Sequence, residues 1–209
     1  AVKERLPLNE LTILGNKNIK NMFSYINELW IGGRSLETPF ISVITNICHN
    51  VETMIVSFEP FDLFLPRDVP PENISKLISS QKNLKLFTLI SYKGTSYSFL
   101  NSLETQSHSL ERVHIRSTFF KSGGPNLSGI AECKLLKAIV IDECENVTLE
   151  LVKPLMNAGL YMLTYVYFYC PYGPIFNDEF TQWANSYDNG GKKMYYRYKG
   201  EKTNSKFNN

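Results

Sequence analysis

A six-residue pattern, apolar-x-x-apolar-x-apolar, recurs along most of this chain and constrains its fold more than any other feature. The last four copies begin at Leu84, Leu110, Leu136 and Leu163, which are 26, 26 and 27 residues apart. A fixed period in this range predicts a solenoid, in which one supersecondary unit is stacked repeatedly. The seven copies are Leu8-Leu11-Ile13, Ile26-Leu29-Ile31, Val51-Met54-Val56, Leu84-Phe87-Leu89, Leu110-Val113-Ile115, Leu136-Ile139-Ile141 and Leu163-Val166-Phe168.

Each copy lies in a short apolar run that predicts a β-strand. Side chains alternate between the two faces of a strand, so Ile139 and Ile141 would share one face while Ala138 and Val140 share the other. Runs of this length are ambiguous between a strand and a buried helix. The helix signals that separate the runs favour the strand.

Between the strands, capping residues and prolines precede apolar residues at helical spacing. These signals are Thr38-Pro39, Pro70-Pro71, Ser98, Asn126, Thr148, and Asn177 followed by Asp178 and Glu179. A strand followed by a helix at each repeat predicts parallel strands with the helices on one side and a continuous core between them. The first two patterns are 18 residues apart and the third and fourth are 33 apart, which predicts a shortened first unit and an insertion around Pro60 to Pro71.

The unit from Cys133 to Thr148 carries a more specific motif. It reads CKLLKAIVIDECENVT and resembles the cysteine-containing leucine-rich repeat, C-x-x-L-x-x-L-x-L-x-x-C-x-x-[IV]-T. Leu149 stands where most such repeats have Asp, whereas Val152 and Leu155 match the apolar helix positions of the family. Other units depart from the second cysteine position, where they have Glu59, Tyr92 and Thr118.

This repeat subtype is typical of F-box proteins, and the loose array is similar to the large fungal F-box/leucine-rich-repeat families. The resemblance implies an α/β leucine-rich-repeat solenoid with a curved parallel sheet on its concave face and helices on its convex face. It also implies that the chain is the substrate-recognition region of a Skp-cullin ubiquitin ligase subunit, in the cytoplasm or nucleus. Residues 1–30 match no F-box convincingly, so a Skp-type adaptor would bind through an F-box upstream of Ala1. The alternative is a leucine-rich-repeat scaffold or inhibitor with no ligase link.

The repeats predict one domain rather than two. A single solenoid of about seven irregular repeats would span residues 1–198, with a C-terminal cap at about residues 175–198. In that cap, Tyr195, Tyr196 and Tyr198 would form a final edge strand after the helix that contains Trp183. The polar tail at residues 199–209 is predicted to be disordered.

In this architecture, the third and fifth residues of each pattern face the concave side and are candidates for binding a protein. Large aromatic residues and Arg dominate the binding energy of protein interfaces. Alternatively, these residues coat a solvated sheet, or a slip in register buries some of them. For Trp30, a further alternative is that it closes the core near one end of the array. The predicted partner-binding residues are Trp30, Ile55, Thr88, Arg112, His114, Tyr165 and Tyr167.

Charge and hydropathy argue against two other partner classes. The formal net charge is +2, and no Lys/Arg block stands out, so we expect no nucleic-acid partner. The uncharged segment from Pro154 to Asn177 is interrupted by proline, glycine and asparagine, whereas a membrane span needs about 20 mainly apolar residues. We therefore expect no membrane partner either.

Candidate catalytic and metal-ligating residues are few. The four cysteines form no C-x-x-C pair, and no histidine lies at zinc-ligand spacing. The adjacent Cys48 and His49 are a weak nucleophile candidate, and the acidic residues Asp142, Glu143 and Glu145 are more typical of a solvated loop than of a metal site. We therefore expect no enzyme activity, no metal and no cofactor.

Overall fold

In the computed structural model, helices and strands alternate along the described chain, which comprises residues 17–32, 38–58, 71–91, 97–121, 126–171, 178–188 and 192–198. The elements are α1 (Lys17–Ser24), β1 (Glu28–Gly32), α2 (Thr38–Ile47), β2 (Thr53–Ser57), α3 (Pro71–Ser79), β3 (Leu86–Ile90), a 3-10 helix (Ser98–Gln106), β4 (Arg112–Arg116), α4 (Ser128–Ala131), β5 (Ala138–Asp142), α5 (Leu149–Asn157), β6 (Tyr165–Cys170), α6 (Asp178–Asp188) and β7 (Lys193–Tyr198).

Three predicted features lie outside the described residues. They are the first pattern, Leu8-Leu11-Ile13, the insertion from Pro60 up to Pro71 (where α3 begins), and the polar tail at residues 199–209.

The seven strands form one parallel sheet in the order β1-β2-β3-β4-β5-β6-β7, so each strand pairs with the next in the sequence. The second to seventh copies of the pattern coincide with β1 to β6. The predicted final strand is present as β7, which pairs with β6. The chain is therefore α/β, and its sheet has the sequential strand order of a leucine-rich-repeat-like solenoid.

One face of the sheet lies in the hydrophobic core. At equivalent register positions, pattern residues such as Phe87, Val113 and Ile139 are at most 1% exposed. They share a single core cluster with apolar helix residues such as Leu77 of α3 and Leu155 of α5. Burial of one full face strongly specifies the register, since a slip of one residue would exchange the two faces.

The helices pack side by side in chain order, from α1 to α5 through the 3-10 helix, and thus form a layer against the buried face. Thr148 caps α5 as predicted, because its hydroxyl accepts a hydrogen bond from the backbone N–H of Leu151 at 3.3 Å. Ser98 is not the capping residue of the 3-10 helix: that position is Tyr97, with no side-chain cap bond. α4 is a single turn, and the Asn126 side chain accepts a hydrogen bond from the N–H of Ser128.

Two buried glutamines connect successive repeats. Gln81 is 5% exposed, and its amide donates to the carbonyls of Leu77 and of Cys48 in the preceding repeat, both at 2.9 Å. Its side-chain oxygen accepts from the N–H of Val51 at 3.2 Å. These bonds satisfy backbone groups at the end of one helix and the start of the preceding strand, where buried groups without partners would be costly.

Gln106 repeats this arrangement one unit later. It is 1% exposed, and its amide donates to the carbonyls of Ile78 and Gln81 at 3.1 and 3.0 Å. Its oxygen lies 3.3 Å from the N–H of Leu84 and accepts a hydrogen bond from it. In the next unit, the thiol of Cys133 donates to the carbonyl of Leu103 at 3.4 Å. Gln81 and Cys133 both occupy the cysteine position of the C-x-x-L motif, three residues before Leu84 and Leu136, whereas Gln106 lies one residue earlier, four before Leu110. Polar side chains at these two adjacent positions therefore join neighbouring repeats.

Charged residues alternate along the edge at which the chain enters the strands. Lys85 lies 2.9 Å from Glu52, and Lys137 lies 2.8 Å from Glu111. The Lys137 ammonium holds the pKa of Glu111 below its usual value. Because these pairs are partly exposed, each contributes little to stability, but the alternation places opposite charges on neighbouring repeats.

We expect Gln106→Ala to lower the free energy of unfolding by about 2 kcal/mol, because it leaves buried backbone groups of two repeats without partners. Chemical denaturation would measure this change. Gln182→Ala, on the exposed surface of α6, is the matched control and should change stability by less than about 0.5 kcal/mol. Equal effects of the two substitutions would show that the Gln106 bonds do not hold the repeats together.

Candidate functional site

The face of the sheet opposite the core presents three rows of side chains. We call this surface the open face. Parallel pairing without a slip aligns the residues of each row across the strands. The first row is Glu28, Thr53, Leu86, Arg112, Ala138, Tyr165 and Lys193; the second is Trp30, Ile55, Thr88, His114, Val140, Tyr167 and Tyr195; the third is Gly32, Ser57, Ile90, Arg116, Asp142 and Tyr169, followed by residue 197.

All seven predicted partner-binding residues lie in the first two rows of the open face. Their exposure differs, however. Trp30 is 66% exposed, Tyr165 is 37% exposed and Arg112 is also exposed. Thr88 is only 8% exposed and therefore offers little surface to a partner. The other three, Ile55, His114 and Tyr167, are partly buried.

Trp30 does not close the end of the core. Its neighbours on β1, Leu29 and Ile31, point to the core and are 8% and 1% exposed, whereas Trp30 points away from it. The alternative of a core-closing role for Trp30 is therefore wrong. Its ring is therefore available to a partner on the face opposite the core.

The arginines of β4 differ in their surroundings. The guanidinium of Arg116 lies 3.8 Å from the carboxylate of Asp142 on β5 and 3.5 Å from that of Glu143. Arg112 forms no ion pair with any other residue of the described ranges. The open face thus has an unpaired positive charge at the start of β4 and a cluster with excess negative charge at its end.

His114 lies between these two arginines on β4. Its Nε2 atom is buried and has no hydrogen-bond partner in the part of the chain that the structure describes. Burial lowers the pKa of His114; the nearby Asp142 carboxylate opposes this shift and the Arg116 guanidinium adds to it. A neutral imidazole with one unsatisfied nitrogen can accept or donate a hydrogen bond, depending on its tautomer.

The aromatic residues of β6 and its neighbours are divided between core and surface. Phe168 is fully buried and meets Phe180 of α6 edge-to-face, with ring centroids 5.6 Å apart. On the other side of the sheet, the rings of Tyr165 and Tyr195 lie 5.8 Å apart. Tyr161 is 66% exposed and lies outside the rows.

The third row of the open face and the contribution of β7 were not predicted from the sequence. The six-residue frame ends at the last buried apolar residue, whereas each strand from β1 to β5 continues for one more residue. That residue points back to the open face, as Arg116 and Asp142 do. Extending the alternation by one residue beyond the pattern would have found this row.

The cysteine candidates have the properties of core residues. All four are buried free thiols, and burial raises the pKa of Cys48 to about 12. A thiol that remains protonated at neutral pH is a poor nucleophile. The neighbouring His49 side chain is engaged elsewhere, since its Nδ1 lies 3.2 Å from the carbonyl oxygen of Ser80.

The described ranges give no support for a metal site or a membrane-spanning helix. They contain no cluster of three His, Cys, Asp or Glu residues that could hold a metal ion. None of their helices is long and apolar enough to cross a membrane. The carboxylates of Asp142 and Glu143 are instead occupied by Arg116.

The chain matches no protein-family model, and no curated protein is significantly similar to it in sequence.

We expect His114→Leu to stabilise the fold by about 1 kcal/mol at pH 7, because it removes a buried polar atom without a partner. The lowered pKa also has a pH consequence. Below about pH 6.5 the unfolded chain takes up a proton at this position more readily than the folded chain does, so acidification destabilises the native protein.

Stability therefore falls as the pH drops from about 6.5 through the lower pKa of folded His114, and His114→Leu should lose this part of the pH dependence. Denaturation curves between pH 7.5 and 5 would show a gap between variant and wild type that widens toward acid. A constant gap would mean that His114 has no depressed pKa.

Proposed function

We propose that this chain is a protein-recognition domain that binds a partner protein on the open face of its sheet. The observation that carries the proposal is the presence on a single sheet face of an exposed tryptophan, of an arginine without an ion pair among the described residues, and of a group of tyrosines. These are the residue types that contribute most to protein interfaces. Seven strands about 4.8 Å apart give a face about 30 Å wide, which is sufficient for a protein epitope.

The character of the opposite face agrees with this assignment. The core side of the sheet and the helix layer use their apolar residues for folding, so the aromatic side chains of the open face are not required for the core. Trp30 and Tyr165 are exposed on the sheet face that faces away from the core, where they contribute nothing to the core and are available to a partner.

We further propose that the partner is a substrate of a Skp-cullin ubiquitin ligase, and that this chain is the recognition part of its F-box subunit. Support for this step comes from the resemblance of residues 133–148 to the cysteine-containing repeat of F-box proteins. In that case the Skp-type adaptor binds an F-box outside this chain, and the protein acts in the cytoplasm or nucleus. The buried free thiols agree with a reducing compartment.

Tyr167→Ala and Arg112→Ala should each weaken partner binding by about 2 kcal/mol, or roughly thirtyfold, if the open face is the binding surface. Affinity capture from the native cell, followed by quantitative mass spectrometry, would identify the partner and measure its loss. Tyr161→Ala is the matched control, since Tyr161 is 66% exposed but lies outside the rows.

Unchanged capture by both Tyr167→Ala and Arg112→Ala would place the partner elsewhere on the molecule. The same experiment with a longer chain tests the ligase step. Skp and cullin components should be recovered only when the sequence upstream of Ala1 is included. If both this chain and the longer chain recover a partner without Skp and cullin components, the protein is instead a scaffold or an inhibitor.

A further inference from the structure

Strand β5 forms the floor of a groove on the open face. Its outward residues Ala138 and Val140 are small, and both are partly exposed. In the sheet register, Ala138 lies between Arg112 and Tyr165. Because neighbouring strands are about 4.8 Å apart, the two walls of this groove are about 10 Å apart at the backbone.

The two walls differ in chemistry. β4 contributes a wall that consists of Arg112, His114 and Arg116, which we call the basic wall after its two arginines. His114 between them is a neutral imidazole, because burial lowers its pKa. β6 contributes the tyrosine wall, which consists of Tyr165, Tyr167 and Tyr169. Tyrosine combines a broad apolar ring with a hydroxyl that can form hydrogen bonds, so this wall suits a peptide backbone and its side chains.

Charge gives the groove a direction. At the end of the groove where β4 and β5 begin, the exposed Arg112 has no ion-pair partner among the described residues. The nearby Glu111 already forms an ion pair with Lys137 at 2.8 Å. At the other end, Asp142 and Glu143 both face the single guanidinium of Arg116, which leaves one excess negative charge. An occupant with an acidic group at the first end and a basic group at the second would complement both ends.

The unsatisfied atom of His114 lies midway along the basic wall. Its Nε2 is buried yet finds no partner in the described part of the chain. A buried polar atom without a hydrogen bond is uncommon in native structures and calls for an explanation such as a ligand. Because this atom is inaccessible to solvent in the structure, an occupant of the groove reaches it only if the imidazole ring turns toward the open face.

We propose that this groove binds an extended segment of a partner protein, with a carboxylate side chain at Arg112 and a basic side chain at Asp142 and Glu143. This proposal rests on the open face being the binding surface. The distance from Arg112 to Arg116 is four strand residues, or about 13 Å, so the acidic and basic residues should be about four positions apart in the bound segment. An α-helix, about 10 Å or more in diameter with its side chains, is too wide for the space between the walls.

A phage-displayed library of random linear ten-residue peptides, selected on the full chain, tests this specificity. The wild type should enrich peptides in which Asp or Glu lies about four positions from Lys or Arg, in one order that is set by the direction of the bound segment. Arg112→Glu should replace the preference for the acidic residue of this pair with a preference for a basic one. Lys76→Glu makes the same charge change on the exposed surface of α3 and should select the same peptides as the wild type.

A synthetic peptide from the enriched set then tests the groove itself by fluorescence anisotropy. Ala138→Phe should weaken its binding at least tenfold, because the larger ring fills the floor. Circular dichroism would show whether the Ala138→Phe variant is folded. If it is unfolded, the changed peptide preference of Arg112→Glu still tests the proposal. No enrichment, or enrichment without the acidic preference, overturns the proposal.

The outcome for Trp30→Ala distinguishes binding in the groove from binding elsewhere on the open face, because Trp30 lies on β1, four strands away from β5. Binding that survives Arg112→Glu and Ala138→Phe but is lost in Trp30→Ala overturns the groove and supports the open face. Binding that is indifferent to all three substitutions overturns both. Binding lost in Arg112→Glu and Ala138→Phe but retained in Trp30→Ala supports the groove.

Discussion

Parallel pairing of each strand with the next, at equivalent positions of the repeat, is the constraint on which the rest of the structure depends. Because strand side chains alternate, this pairing sends one set of residues from every repeat into the core and the other set to the open face. Apolar residues such as Phe87 and Ile115 are fully buried as a result. A shift of one residue in β4 would bury the charged side chains Arg112 and Arg116, so burial and register enforce each other there.

The repeats are joined by polar as well as apolar contacts. The side chains of Gln81 and Gln106 satisfy backbone groups of two successive units, and Cys133 takes a related role with its thiol. Such bonds extend the interface between repeats to the ends of the helices, where the backbone would otherwise lack partners. In a solenoid, stability depends on these interfaces between nearest neighbours, so each polar connection contributes beyond its own unit.

Much of this fold could be predicted from the sequence because the repeat period is regular from Leu84 to Leu163. The spacing of Leu84, Leu110 and Leu136 predicted successive parallel strands, and Thr148 was correctly expected to cap a helix. The role of the glutamines was not predicted, because Gln81 stands where the repeat motif has cysteine, whereas Gln106 lies one residue before that position at the end of a 3-10 helix. The burial of Thr88 was also missed, because exposure within a sheet row depends on neighbouring side chains rather than on the pattern.

The account depends most directly on which residues of a strand face solvent. Single cysteines introduced at positions 138, 139, 140 and 141 of β5, labelled with a thiol reagent under native conditions, would measure this; the native cysteines are buried and give little background. The account predicts fast labelling at positions 138 and 140 and slow labelling at 139 and 141. The opposite alternation, or equal rates at all four positions, would contradict the register and with it the open face.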